Sequence, residues 1–212
     1  MLIDISPALS ARSPIWPGDT KFSAVRTWSI AGGGAVNVSA ITLSTHAGAH
    51  ADAPRHYDER GASIDEVALD PYIGPCVVAH VVAPGAFVGV ETALAALDRV
   101  LAGRAMPERV LFRTYRRSPA GWDSAFSAIA AETIAMLADR GVRLIGVDTP
   151  SLDPEQSKTM DAHRAILKAD MRVLEGLVLD SVAEGIYELI ALPLKLAGLD
   201  AAPVRAALRT LP

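Results

Sequence analysis

The amino-acid sequence predicts an α/β fold, because segments typical of strands alternate with segments typical of helices after residue 80. Short runs rich in branched apolar residues predict strands at 2–6, 22–30, 36–45, 75–82, 109–115, 142–147, 172–179 and 186–192. Apolar residues at helical spacing predict helices at 91–101 and 124–140, and a shorter helix is predicted at 159–169. No repeat or linker divides the chain, so residues 1–212 are expected to form one domain.

The first elements along the chain predict a hairpin. Alternating polar and apolar residues at 22–30 and 36–45 flank the glycine run Gly32–Gly34, which is expected to form the turn. That run is not followed by the Lys-Ser/Thr pair of a phosphate-binding loop. We therefore interpret these glycines as structural.

Composition excludes several classes of function. The net charge of −4 and the absence of a basic patch argue against binding to nucleic acid. No apolar run approaches the ~18–20 residues that span a bilayer, and the first residues do not resemble a secretory signal. The single cysteine, Cys76, is expected to be buried, and we expect a cytoplasmic protein. Half of the residues are hydrophobic, which indicates a further buried surface such as that of a homodimer.

One segment carries most of the chemistry. Between His46 and His56 the chain places three of its five histidines and one aspartate at even positions, and every odd position except Arg55 is alanine. Neutral imidazole and carboxylate are the ligands that zinc, manganese and similar divalent ions prefer. Four such groups would be costly to bury without a partner. The pattern predicts a metal site.

Neither regular element brings these groups together. In a helix Asp52 would point away from His46 and His50, since successive residues are rotated by ~100°. In a straight strand the two histidines would lie ~13 Å apart at ~3.3 Å per residue, whereas zinc ligands lie ~2.0–2.2 Å from the ion. The chain must therefore bend, and Gly48 can do so at least cost. We expect a strand end and a bent loop here.

Further ligands must come from elsewhere in the chain. His163 lies in a polar approach to a predicted helix, and Glu175 interrupts an apolar strand, where an unpaired charge would be expensive. His80 lies in a valine-rich strand and is expected to pack in the core. Spacing alone leaves open whether His163 and Glu175 reach the cluster.

The same residues resemble those of a known family. Residues 46–56 are similar to the His-x-Gly-Thr-His-x-Asp-x-Pro-x-His signature of the metal-dependent cyclase-like hydrolases, with Ala49 in place of the common threonine. The resemblance extends over nearly the whole chain, and its later parts are similar to the bacterial kynurenine formamidases (arylformamidases) within that family. The segments that carry it are 3–6, 16–19, 44–46, 56–58, 146–154, 158–163 and 192–200.

The resemblance implies a ligand set for two zinc ions per subunit. His46, His50 and Asp52 would bind the first ion, while Asp52, His163 and Glu175 would surround the second, with Asp52 bridging. Manganese or cobalt could replace zinc, because such ligands do not discriminate strongly between these ions. The family fold would be a swivelling β/β/α domain with a compact, barrel-like sheet core and flanking helices, and its members form homodimers.

The resemblance also implies the reaction, which is the metal-dependent hydrolysis of N-formyl-L-kynurenine to L-kynurenine and formate in tryptophan degradation. His56 would donate and accept the proton, although its residue type also fits a third metal ligand. Trp16 would line the substrate pocket, although an indole in a turn-rich loop could equally fill the edge of the domain. Arg113, Arg116 and Arg117 could meet the substrate carboxylate or simply face solvent.

Three alternatives stay open at this point. One is another cyclase-like amide hydrolase, such as an isatin hydrolase. Another is a serine hydrolase, which is disfavoured because no Gly-x-Ser-x-Gly motif occurs. A third is a non-enzymatic metal-binding protein, but structural zinc sites typically include cysteine, and this cluster has none.

Overall fold

The computed structural model describes residues 1–211 and consists of one large sheet, two small two-stranded sheets and three α-helices within that range. The helices are α1 (Val90–Leu101), α2 (Ala131–Asp139) and α3 (Asp161–Lys168). The strands are β1 (Leu2–Asp4), β2 (Ser23–Trp28), β3 (Val38–Thr42), β4 (His50–Asp52), β5 (Ile73–His80), β6 (Phe87–Val88), β7 (Arg109–Arg113), β8 (Ala128–Ile129), β9 (Leu144–Val147), β10 (Arg172–Glu175), β11 (Gly185–Ile190), β12 (Ala201–Pro203) and β13 (Ala207–Thr210).

The large sheet is a curled half-barrel with the strand order β1-β13-β11-β5-β7-β9-β10-β4-β12. Its centre, from β5 through β7 and β9 to β10, is parallel, and both flanks are antiparallel. Parallel strands are covered on both faces, which explains why the central strands are runs of branched apolar residues rather than alternating ones. The expected α/β fold with a barrel-like sheet core and flanking helices is confirmed.

Two hydrophobic clusters hold the sheet, one on each face. The apolar sides of the helices pack on one face, where Leu97 of α1, Leu137 of α2 and Ile166 of α3 are fully buried. The other face is the inside of the half-barrel and includes Tyr72 and Leu189. Burying one such side chain contributes about 1.5–3 kcal/mol, so these clusters supply much of the stability of the sheet.

The structure differs from the sequence prediction in three places. The predicted helix 124–140 begins only at Ala131, because Ala128–Ile129 forms β8 and pairs in parallel with β6. Phe126 and Ile129 are both buried although this segment is not helical, so their helical spacing was misleading. The predicted strand 172–179 ends at Glu175, and the short strands β6, β12 and β13 were not predicted.

The hairpin of β2 and β3 is confirmed, with a short 3-10 turn at Ile30–Gly32 between the strands. Every residue of both strands is exposed, including large apolar side chains. The exposed apolar side chains are Val25, Trp28, Val38 and Ile41 in the strands and Ile30 and Val36 in the segment between them. Exposed apolar side chains that occur together are typical of surfaces that bind another molecule.

Among the helices of the described residues, none is both long enough and apolar enough to cross a bilayer.

Candidate metal centre and cavity

The predicted metal-binding segment folds as a bend followed by a very short strand. Gly48 adopts a positive φ of 64°, which an L-residue with a side chain rarely adopts, and the bend turns His46 towards β4. His50 and Asp52 lie two residues apart in β4 and therefore point to the same face of the sheet. The expected bend at Gly48 is thus present, although the bend precedes the strand.

The sheet register brings Glu175 to this segment. β4 pairs antiparallel with β10, and Glu175 lies directly opposite His50. Opposite residues share a face, with Cβ atoms about 4.5–5.5 Å apart. Gly176 then leaves the strand with a positive φ, and a Cβ atom there would lie 2.2 Å from the carbonyl oxygen of Gly48. Only glycine fits at this crossing, which fixes Glu175 against the metal-binding segment.

His163 reaches the same place from the first turn of α3. Met160, the residue before α3, does not cap this helix with its side chain. Asp153 does so instead, since its carboxylate accepts hydrogen bonds from the backbone N–H groups of Ala162 and His163, both at 3.0 Å. The same carboxylate binds Nδ1 of His163 at 2.6 Å, which directs Nε2 of His163 towards Asp52.

The resulting geometry centres on the two carboxylate oxygens of Asp52. Oδ1 lies 3.0 Å from His46 Nδ1 and 3.5 Å from His50 Nε2. Oδ2 lies 3.4 Å from His163 Nε2. The Glu175 carboxylate completes the set, with Oε2 at 3.3 Å from His50 Nε2 and Oε1 at 3.4 Å from His163 Nε2. All five predicted ligands therefore converge, in two groups that share Asp52.

Each of the three histidines is held through its other ring nitrogen. Nε2 of His46 lies 2.8 Å from Asp200, and Nδ1 of His50 lies 2.9 Å from the carbonyl oxygen of Gly48. Nδ1 of His163 is held by Asp153, as described above. Metal-bound histidines typically have such a partner, because it fixes the tautomer and the orientation of the ring.

The atoms that face the centre fit a divalent cation. Nε2 of His50, Nε2 of His163 and both carboxylate oxygens of Asp52 are buried and form no hydrogen bond within residues 1–211. Buried polar atoms without a partner are rare and costly. Imidazole nitrogen and carboxylate oxygen are ligands for zinc and related ions, and no thiolate is present in this set. The set therefore fits a divalent cation held by nitrogen and oxygen ligands.

Electrostatics lead to the same conclusion. Burial opposes the charged form of His46, but its hydrogen bond to Asp200 and the nearby Asp52 raise its pKa to about 10. Burial also opposes a charge on His163, yet Asp153 and Asp52 raise the pKa of His163 well above its usual range. Burial favours the neutral form of Asp52, but the adjacent imidazoles lower its pKa well below the usual value. The buried carboxylates therefore favour positive charge beside them, and a bound divalent cation can supply this charge in place of protons on the histidines.

His56 lies at the edge of this cluster, in the 3-10 turn Pro54–His56. Its Nδ1 lies 3.5 Å from the carboxylate of Asp200, and its ring centroid lies 4.3 Å from that of His46. About 30% of its side chain is exposed, so it can meet a molecule entering from solvent. Burial lowers the pKa of His56, which keeps the imidazole neutral and able to accept a proton near neutral pH.

A cavity of about 790 Å³ opens above the cluster, and His46, His50, His56 and Glu175 lie at its floor. Trp16 lines its wall, and its ring contacts Trp122 edge-on at a centroid distance of 5.2 Å. A volume of this size suits a small organic molecule. The cavity thus joins the candidate metal centre to an aromatic wall.

Comparison with known proteins identifies the family of this chain. The sequence pattern of the family named Cyclase matches residues 3–154 of this chain. The chain belongs to the Cyclase family.

Solved structures support the same placement of this Cyclase-family chain. A potential metal-dependent hydrolase with cyclase activity is 27% identical, with a TM-score of 0.83, over 100% of this chain and 99% of its own. A second, a metal-dependent hydrolase from Bacillus stearothermophilus that was itself named by prediction, is 27% identical with a TM-score of 0.81, over 98% and 97%. Isatin hydrolase A from Labrenzia aggregata, bound to benzyl benzoate, is 26% identical with a TM-score of 0.84, over 98% and 93%. The chain is a metal-dependent hydrolase of this family.

Two functional candidates of this hydrolase were missed by sequence reasoning, namely Asp153 and Asp200. Both are carboxylates that orient a histidine of the cluster; Asp153 precedes its partner His163 by 10 residues, and Asp200 lies 154 residues from its partner His46. Their only sequence signal was their position inside segments similar to the family. Of the other residues considered earlier, His80 is half-buried and its Nε2 lies 2.9 Å from the carbonyl oxygen of Val182, in keeping with a structural role.

Proposed function

We propose that this chain hydrolyses the formamide bond of N-formyl-L-kynurenine, giving L-kynurenine and formate. The observation that carries the proposal is the position of Asp52 at the floor of a cavity with an aromatic wall: one carboxylate oxygen faces His46 and His50, and the other faces His163. This arrangement suits two divalent ions, for which we propose zinc. The sequence segments similar to kynurenine formamidases support the choice of substrate.

The proposed roles follow from the geometry. Bound divalent cations polarise a carbonyl oxygen and lower the pKa of a coordinated water to ~7. The residues that would hold them are His46, His50, Asp52, His163 and Glu175. Hydrolysis breaks the formyl C–N bond, adds water across it and requires a proton on the departing aniline nitrogen.

His56 is placed to move that proton. Its imidazole is partly exposed at the floor of the cavity and is neutral near pH 7, because burial lowers its pKa. It can therefore accept the proton lost by the attacking water and return it to the leaving nitrogen. Trp16 offers a flat ring at the cavity wall on which the aryl group of the substrate can pack.

We also propose that two copies of this chain associate as a homodimer. In a monomer the hairpin of β2 and β3 exposes apolar side chains such as Trp28 to water, which is unfavourable. Covering the hairpin with a second copy of the chain would remove this cost of apolar exposure. Sedimentation equilibrium of the purified protein tests this, with a mass of one chain as the contradicting result.

A second candidate function is the hydrolysis of isatin, a cyclic amide. It is favoured by the similarity to isatin hydrolase A, which extends over 98% of this chain. Both reactions cleave an amide next to an aryl ring, so the metal centre alone does not separate them.

One assay separates the two candidates. Kynurenine release from its N-formyl derivative and isatin ring opening are followed spectroscopically for the same preparation. We expect turnover of the formyl compound, loss of this turnover with a chelator, and recovery when zinc or manganese is added. Turnover of isatin alone would contradict the proposed substrate, and full activity in the presence of a chelator would contradict metal-dependent catalysis.

A further inference from the structure

The loop at the cavity mouth, Ala8–Ser13, is held in one conformation by its own hydrogen bonds. The hydroxyl of Ser13 accepts a bond from the backbone N–H of Ser10 at 2.8 Å and donates to the carbonyl of Ala8 at 3.4 Å. The hydroxyl of Ser10 accepts a bond from the backbone N–H of Arg12 at 3.2 Å. The backbone of Arg12 is therefore fixed, although its side chain is exposed.

This loop packs directly on the metal-binding segment. A Cβ atom at Gly48 would lie 2.6 Å from Leu9 Cδ2 and 3.2 Å from Pro7 Cγ, so the side chains of Leu9 and Pro7 pack directly against the backbone of Gly48. Arg12 follows Leu9 by three residues, a span of at most about 10–11 Å. Arg12 lines the same cavity as the cluster of histidines. Its guanidinium is thus placed to meet a small molecule whose other end lies at the metal centre.

None of the acidic side chains that line the cavity pairs with Arg12. The acidic side chains of the cavity wall each accept hydrogen bonds from other groups: Asp19 from Thr20, Asp123 from Tyr115, Asp148 from Thr114, and Glu155 from Trp122. The fifth acid, Glu175, faces the metal-ligating histidines.

Among residues 1–211, Arg12 is the one lysine or arginine that lines this cavity, and its side chain forms no salt bridge or hydrogen bond there. The arginines considered from sequence lie elsewhere. Arg113 donates to the backbone carbonyls of Tyr115 and Arg116, and neither it nor Arg116 nor Arg117 lines the cavity. A free guanidinium at the mouth of this cavity is suited to an anionic ligand.

We propose that Arg12 binds the carboxylate of the substrate and so determines specificity for anionic aryl amides. This inference rests on the proposed function, because the α-carboxylate of N-formyl-L-kynurenine lies at the end of the molecule remote from the formamide. A guanidinium binds a carboxylate through two parallel N–H···O bonds, which fixes the orientation as well as the charge. Isatin has no carboxylate, so Arg12 would favour the linear substrate over the cyclic one.

The test measures binding, so it does not require turnover. Isothermal titration of the zinc-loaded protein compares L-kynurenine with kynuramine, which has the same aryl ketone and amine but no carboxylate. We expect the wild-type chain to bind L-kynurenine about tenfold more tightly, the factor that one charge-assisted contact supplies at a partly exposed site. The Arg12→Gln variant should lose this preference and bind both compounds equally. Arg117→Gln, an exposed arginine outside the cavity, is the matched control and should keep the preference.

The outcomes separate this inference from the proposed function. Equal binding of both compounds by the wild-type chain, binding of neither, or a preference that survives in Arg12→Gln would overturn the role of Arg12. Hydrolysis of the formyl compound would still be decided by the kynurenine assay. The preference should also shrink as salt rises, because the guanidinium is exposed to solvent.

Discussion

The floor and the mouth of the cavity are built in opposite ways. At the floor, Asp52, His163 and Glu175 are almost completely buried. Nε2 of His163 lies 3.4 Å from a carboxylate oxygen of Asp52 and 3.4 Å from one of Glu175. The backbone of a strand pair and the first turn of a helix hold them. At the mouth, Arg12 and Trp16 come from a loop, and each is partly or fully exposed.

This difference indicates that the floor determines cation binding and the mouth determines affinity for the substrate. A pair of cations requires ligands at fixed distances, so the floor is placed on regular structure with second partners for the histidines. A substrate side group requires only a complementary surface, which a loop provides and which can vary at little cost to stability. We therefore expect changes at the floor to abolish the reaction and changes at the mouth to alter affinity.

The largest effect is expected for Asp52→Asn. The amide removes the negative charge and replaces one oxygen that faces the histidines with a donor, so cation binding should fail. We expect the activity to fall about a thousandfold or more, because the cations supply several kcal/mol of stabilisation to the transition state. Metal content is measured by elemental analysis. Glu59→Gln, an exposed charge change three residues beyond the metal-binding segment, is the control, and a fully metallated Asp52→Asn would contradict the bridging role.

The next effect is expected for His56→Gln. Loss of a positioned proton donor and acceptor should lower kcat about 10²–10⁴-fold while the metal content stays unchanged. The alternative is a ligand role, since ligand atoms of His46, Asp52 and His56 lie within 4.8 Å of one another. Elemental analysis beside steady-state kinetics distinguishes the two roles. A variant that is inactive because it has lost metal would assign His56 to the ligands.

The metal-binding segment was accessible from sequence because its signal is local. His46, His50 and Asp52 lie within seven residues, and the bend at Gly48 follows from simple distances. The register that places Glu175 opposite His50 was not accessible, because it depends on how β10 pairs with β4 across more than a hundred residues. The residue type of Glu175 identified it as a candidate, but only the pairing shows that it reaches the cluster.

The same limit explains the missed carboxylates. Asp153 and Asp200 act on histidines through tertiary contacts, and an isolated aspartate in a loop has no distinctive pattern. The short strand β8 was mistaken for a helix because burial of Phe126 and Ile129 gives the same spacing in either conformation over so few residues. Local periodicity identifies elements well only when they are long.

A smaller effect is expected when the histidines of the floor lose their second partners. Asp200→Asn should weaken zinc binding about 10–100-fold, because His46 loses the carboxylate that orients it. Asp153→Asn should weaken zinc binding similarly and also lower the melting temperature, since Asp153 accepts the first N–H groups of α3. Competition with a chromophoric chelator and thermal unfolding of the metal-free protein measure the two quantities. Unchanged zinc affinity in both variants would mean that the ring orientations are held by packing instead.

The smallest effect is expected at the mouth, for Trp16→Ala. Aromatic pairs contribute about 0.5–1.5 kcal/mol beyond area burial, so KM should rise about two- to tenfold while kcat and metal content change little. The edge-on contact with Trp122 means that part of the aromatic wall remains. Phe87→Ala, an exposed aromatic residue outside the cavity, is the control. If Trp16→Ala lowered kcat as strongly as a change at the floor, the mouth would be positioning the reacting bond, and the division between the two regions would fail.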